Sequence, residues 1–413
     1  MKRAIVEAVA EEKYWLADQF EKQLRTLKKR RLLGKLGTYG LMPKYGFPTE
    51  VVELKIRSSS KEAEKVELAR DLKLALSEFA PGNQVVANKK VWTSRGIVLP
   101  SRERDLHLFR YWHCAACQYF SAEQVVSTQQ TGSGEPGDRT CHCEKPIDAK
   151  QYLYPEFGFT TESKQGKDVG DTRPPYKSYS SVFYHEDGNG GNFEPLKSLR
   201  QIECRESRHG WIHVINNNRN QEFWVCMACG YAFNSNPFYE KEIDKTHQRP
   251  WQGRGSDKCQ GKLKGISLGY RYRTDVLELK IPRGILKGIE LKDQNEIKAM
   301  WLSALYALVN GACDHLEINE RDLGGCLYYY KGSDPLIVLF DTAPGGAGFV
   351  KEVKENFKGV IDAAIKKVRH SCCAEDSSCI SCLRTYFNQR DHNVLQRGLA
   401  QKFLNKINDF PLH

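Results

Sequence analysis

The sequence predicts a multi-domain protein that mixes α+β and α/β architecture, and three observations carry that expectation. Cysteine pairs two residues apart recur on either side of long polar loops. An apolar stretch near residue 340 runs into a glycine-rich turn and helical sequence. Four cysteines crowd the region just after residue 370. The 413 residues exceed one small module, and 40% hydrophobic with 11% aromatic content excludes a largely disordered tail.

From the N-terminus, Ile5, Val9, Tyr14, Leu16, Phe20 and Leu24 keep a helical rhythm, so one amphipathic helix is expected over residues 4–33. It ends in Lys28, Lys29, Arg30 and Arg31, cations that suit a helix C-terminus and can also contact phosphates. A turn-rich loop leads to a strand at 50–56, a helix at 62–79 stopped by Pro81-Gly82, and short strands at 84–86 and 91–93. This unit, residues 1–105, holds no catalytic cluster. A first cysteine module occupies 106–150, a charged connecting segment 151–200, and a second cysteine module 201–267.

Residues 268–413 form the most regular part. Asp293 with Glu296 three places later marks a helix start, and Ile297, Trp301, Leu305 and Leu308 share one face up to a stop at Gly311. Strands are expected at 328–330 and 336–340. The second is apolar throughout and therefore central. It ends in Asp341, and Gly345, Gly346 and Gly348 then open a helix. That arrangement suits either a tight crossover or a backbone N–H site for an anion.

The cysteines carry the chemistry. Tetrahedral zinc takes four N/S ligands, and a two-residue spacer lets two thiolates face one ion. Three sets follow: Cys114, Cys117, Cys141 and Cys143; Cys226, Cys229, His247 and Cys259; Cys372, Cys373, Cys379 and Cys382. His142 competes for the fourth place in the first, and Cys204 is an alternative to His247 in the second. The first two sets make zinc-ribbon-like modules, and the third is a four-cysteine zinc cluster closing an α/β domain. All three sites can be closed by protein ligands, so about three structural Zn²⁺ ions are expected, with no catalytic residue.

Other classes fall away. No nucleotide-binding P-loop is present, because the stretch from Gly255 to Lys262 has the wrong glycine spacing. No apolar run approaches the roughly 20 residues of a membrane span, and glutamates interrupt any leader at the N-terminus, so a cytoplasmic protein without membrane contact is expected. A net charge of +11 permits a polyanionic partner. Arg384, Asn388, Gln389, Arg390, His392 and Arg397 mix cations, amides and aromatic neighbours as phosphate- and base-contacting segments do.

The stretches LGYRYRTDVLEL (268–279), IVLFDTAPGGAGFVKEV (337–353) and SCCAEDSSCISCLRTYFNQRDHNVLQRGLA (371–400) resemble the MrfA-type zinc-binding domain of certain DNA repair helicases and of the DrmB subunit of the DISARM anti-phage system. PKYGFPTEVVEL (43–54) and ARDLKLALSEFAPGNQVV (69–86) resemble the segments that join motor and domain there. The resemblance implies a structural zinc on the four terminal cysteines and a DNA-binding role in antiviral defence. With no motor in the chain, it implies a non-enzymatic accessory of a helicase supplied in trans. Cys372 and Cys373 are adjacent where that family keeps a residue between them, which makes His370 an alternative ligand. A metal-dependent nuclease using Asp341 and a purely structural assembly subunit are the competing expectations.

Overall fold

The computed structural model describes residues 2–11, 17, 20–21, 24, 51–58, 63, 65–100, 106–125, 139–162, 166–170, 178–186, 191–234, 246–250, 258–329 and 334–409. Helix α1 covers Lys2–Ala10. The rest of the expected N-terminal helix, with Lys28 to Arg31, lies outside the described residues apart from isolated positions.

Two 18-residue strands organise the molecule. Leu199–Asn216 and Leu263–Lys280 pair antiparallel from Glu203–Lys280 to Asn216–Leu268, with a register shift between Ser207 and Gly210. On one stretch of this ribbon the strands run in the order Ser181–His185, Leu199–Asn216, Leu263–Lys280, Lys150–Leu153, Leu108–His113, Phe120–Gln124. Strand twist curls the six until the outer two meet: the Ala122 N–H donates to His185 Nδ1 at 3.1 Å, and Phe120 stacks on Phe183 at 4.5 Å. Phe109, Tyr111, Phe120, Tyr152 and Ile215 fill the inside of the curl. Gly269 is needed there, because a Cβ would lie 2.7 Å from the Val214 carbonyl and 3.0 Å from the Tyr152 ring.

The outer face of the curl packs on a smaller sheet. Helix α2, Leu72–Glu78, supplies Leu72, Ala75 and Leu76 to that core, with Phe79 just beyond its end. The expected continuous helix over 62–79 is interrupted: residues 66–71 are not helical, and Leu72–Glu78 is its C-terminal part. Asp71 caps it by accepting from the Lys73 N–H, while Ala69–Asp71 is a strand paired with Val51–Glu53. Gln84–Ala87 and Lys90–Ile97 form a hairpin whose two turn residues, Asn88 and Lys89, both have positive φ.

At the other end of the ribbon, Leu336–Asp341 pairs antiparallel with both Leu263–Lys280 and Leu323–Tyr328, so it is central and buried throughout. Its alternation is strict: Ile337 and Leu339 face one core, Leu336, Val338 and Phe340 the other. Three helices cover the first face: α3 (Gln294–Leu316), α5 (Phe357–Arg369) and α6 (Arg397–Asn408), with α4 (Phe349–Glu355) leading into α5. Strands of the large sheet thus come from every segment between residues 106 and 341 that the sequence alone held apart.

Asp293 caps α3 as expected, accepting from Asn295 and Glu296 N–H at 2.9 Å, but Glu296 reaches back to the Lys292 N–H instead of closing the box. Gly311 does not end the helix, which continues to Leu316 and a left-handed cap at Glu317. Instead it lets α5 approach, because a Cβ there would lie 2.6 Å from the Ala364 Cβ and 2.8 Å from the Val360 carbonyl. Gly311→Val is expected to overpack this crossing and cost about 1–3 kcal/mol, read as a lowered denaturation midpoint.

His213 is buried inside the curl with Nδ1 3.0 Å from the Tyr152 hydroxyl. Burial, and then the nearby His185 and Arg271, hold its pKa well below the ordinary 6.5. The depressed folded value makes this stability complete above pH 6.5 and lost as pH falls further, by up to about 1.4 kcal/mol per pH unit. Melting temperatures measured from neutral to mildly acid pH should fall, and His213→Gln should flatten that fall.

Candidate metal centres

Each expected ligand set converges. The four donor atoms of Cys114, Cys117, Cys141 and Cys143 lie within 4.8 Å of one another, as do those of Cys226, Cys229, His247 and Cys259, and those of Cys372, Cys373, Cys379 and Cys382. His142, Cys204 and His370 are in none of these groups. Cys204 is buried in the helix-side core, and Cys313 and Cys326 are buried hydrophobes.

The first set sits on two tight turns. The hairpin of Leu108–His113 with Phe120–Gln124 carries Cys114 and Cys117, closed by the Cys114 N–H on the Tyr119 carbonyl and by Gln118 at φ 56°. Arg139–Thr140 and Pro146–Ile147 carry Cys141 and Cys143, closed by the Cys141 N–H on the Lys145 carbonyl and Glu144 at φ 59°.

In the second set, Cys226 ends the strand Phe223–Cys226, its N–H donates to the Tyr231 carbonyl, and Gly230 turns the chain at φ 75°. The Gly230 carbonyl accepts from Ile97 N–H at 2.7 Å, fastening this turn to the smaller sheet. His247 and Cys259 face one another across a two-residue bridge, and the His247 ring stacks on Tyr231.

The third set lies between helices. Arg397, at the start of α6, donates to the carbonyls of Val368 and Cys373, and the Asn310 amide of α3 donates to that of Cys382.

These donor sets fit zinc. A tetrahedral ion with Zn–S of about 2.3 Å sets its sulfurs about 3.8 Å apart. The Sγ separations are 3.7 Å for Cys114–Cys143, and 3.8 Å each for Cys226–Cys259, Cys373–Cys382 and Cys379–Cys382. Cys141 and Cys143 are closer, at 2.9 Å. Backbone N–H groups of Tyr231, Gly261 and Cys379 donate to the sulfurs of Cys229, Cys259 and Cys382, as they would to thiolates. Neighbouring thiols divide the proton unequally: the hydrogen bond with Cys229 pulls Cys226 below the ordinary thiol range, and that with Cys143 does the same to Cys141. Four protein donors fill a tetrahedral ion, which leaves no position for a reacting water.

The glycine-rich loop is not an anion site. The Asp341 carboxylate, fully buried, accepts the N–H groups of Ala347, Gly348, Phe349 and Val350 at 2.6–3.2 Å. The donors that an anion would use, including that of Gly348, serve this side chain, while the Gly345 and Gly346 N–H groups bond the Arg273 and Ala343 carbonyls. Gly346 also presses on Asp275, where a Cβ would lie 2.2 Å from the carboxylate. Asp341 is a helix cap, and the nuclease expectation loses its one named residue.

The segment after the last cysteine is corrected in part. Asn388 and Arg397 are buried, so neither reaches DNA. Asn388 forms a reciprocal cap with Thr385 and donates to the Leu383 carbonyl. Arg384 bonds Ser378 and the His392 carbonyl, His392 Nε2 faces Asn388 and Thr385, Arg390 bonds Ser181, and Gln389 bonds the Tyr386 carbonyl. Arg384, Gln389 and His392 are half-buried and Arg390 remains exposed.

Residues 304–383 match the family model described as the MrfA Zn-binding domain. An MrfA Zn-binding domain is present. It encloses the whole terminal cysteine cluster and the Asp341 loop. The chain is 23% identical over 400 residues to Druantia protein DruE of Escherichia coli, an alignment covering 90% of this chain and 22% of DruE. Crystal structures of the DUF1998 helicase MrfA align as well. The DNA-bound form has 11% identity over 86% of this chain and 34% of that one, with TM-score 0.37. The DNA-free form has 9% identity over 87% and 34%, with TM-score 0.38. The chain thus spans about a fifth of the curated relative and a third of the solved chains. The expectation of a non-enzyme serving a helicase in trans is corrected. In DruE the part that this chain matches lies within one longer polypeptide.

Cys226→Ser with Cys259→Ser is expected to lower bound zinc by one ion per chain and reduce the melting temperature, while Cys204→Ala changes the zinc content not at all. Elemental analysis of the purified variants checks both.

Proposed function

We propose that this chain is the zinc-pinned, DNA-engaging part of a helicase-type enzyme acting in defence against phage. The observation that carries the reading is the MrfA Zn-binding match over 304–383, within a chain similar along 90% of its length to a Druantia protein. Druantia-type defence is therefore favoured over the DISARM type named from sequence. Zinc at the three clusters is structural in this reading, held by Cys114, Cys117, Cys141 and Cys143, by Cys226, Cys229, His247 and Cys259, and by Cys372, Cys373, Cys379 and Cys382. The first two turn pairs then act as zinc ribbons, and the third locks the helices around α3. Action on incoming phage DNA is cytoplasmic in this reading. No helix among the described residues is long and apolar enough to cross a membrane.

A rigid platform serves a motor by transmitting force without yielding. Structural zinc sites contribute roughly 10–16 kcal/mol of apparent binding free energy, far more than surface ion pairs. The test uses the protein as its host makes it. DNA should stimulate its ATP hydrolysis several-fold, and Cys226→Ser with Cys259→Ser should remove that stimulation. Its gene should reduce phage plating. Hydrolysis indifferent to DNA, or undiminished plating, contradicts the proposal.

A further inference from the structure

The open end of the six-stranded curl carries groups that packing does not explain. Register places Trp211 opposite Arg273 and His213 opposite Arg271, so the Trp211, Arg271 and Arg273 side chains leave the same face of the ribbon. The Arg271 guanidinium lies 4.2 Å from the Trp211 ring centre and 4.8 Å from that of Phe109, and its Nη2 donates to Gln124. The Arg273 guanidinium lies 4.6 Å from the Trp211 ring. Arg273 forms no ion pair among the described residues, and its Nε is shielded from water with no acceptor. Arg208 and His209 are exposed at the adjoining register shift. Among neighbouring carboxylates, Asp275 lies against Gly346 of the capped loop and faces Arg208 and His209, and Glu206 pairs with Lys354.

Two guanidiniums held beside aromatic rings lose little freedom when they grip an anion, and the half-buried Trp211 ring offers stacking surface. We propose that this mouth grips single-stranded DNA, with Arg271 and Arg273 on the phosphates and the half-buried Trp211 beside the bases. Duplex DNA, whose bases are stacked inward, gains only the phosphate contacts. The inference rests on the DNA-engaging reading above and names its surface.

The experiment titrates labelled oligodeoxythymidine into the full chain across a salt series and follows fluorescence anisotropy. Arg271→Gln with Arg273→Gln should weaken binding about tenfold and reduce the slope of log affinity against log salt by about 0.7 for each charge removed. Lys287→Gln with Lys292→Gln, which removes the same charge from an exposed turn, should change affinity less than about twofold. Trp211→Ala should weaken single-strand binding and leave duplex binding unchanged. If the double variant loses its fold, Arg273→Gln alone decides, since that side chain holds no ion pair among the described residues. A folded arginine variant that binds single strands as the unaltered chain does overturns the proposal, as does an equal loss for duplex and single strand in Trp211→Ala. An unaltered chain that binds no DNA sinks the functional reading itself.

Discussion

Soft donors forced into contact are the constraint on which this fold depends. Eleven sulfurs and one imidazole gather into three groups, each within 4.8 Å, at points where the chain is otherwise irregular. Thiolates so close repel one another, and thiols so close compete for protons, unless a cation sits among them. The turns that create these contacts are expensive in backbone freedom, with Gln118 and Glu144 held at positive φ beside the first cluster. A divalent ion turns that expense into a cross-link between segments far apart in sequence.

The cross-links act on one continuous object, the two-stranded ribbon. The first two clusters lie near its curled end and the third near its helix-covered end, joined through α3, α5 and α6. Between them a buried Glu278 accepts from Arg205 on the facing strand at 2.6 Å and from the Tyr184 hydroxyl at 3.0 Å. Burial pushes the Glu278 carboxyl up in pKa, with Arg205 pulling the other way. Such a pair costs about 3–5 kcal/mol to break from one side, so it fixes strand register more than it adds net stability. Asp341 plays the same part for the central strand, tying its end to the start of α4 through four N–H bonds.

Local chemistry was legible in the sequence where it is written in neighbouring residues. Knuckle spacing marked six of the twelve converging donors and nearby cysteines and a histidine the other six, Asp293 marked a helix start, and an unbroken apolar run marked the central strand. What failed depends on partners far along the chain. Gly311 looks like a stop, yet it is empty space for α5. Arg397 looks like a phosphate ligand, yet it binds the carbonyls that flank the third cluster. Asp341 and its glycines look like an anion cradle because a carboxylate that fills its own cradle leaves the same pattern. The alternation Tyr270-Arg271-Tyr272-Arg273 did hold a signal, one face apolar and one cationic, but the curl that gathers the cationic face into a mouth comes from pairing with strands over a hundred residues earlier.

Hydrogen–deuterium exchange before and after removal of metal by a chelator tests the central claim most directly. Residues 108–124, 139–147, 223–234 and 372–397 should lose most of their protection once stripped, and regain it when zinc alone is restored, while α3 stays slow. Unchanged exchange at all four segments in metal-free protein would contradict the account.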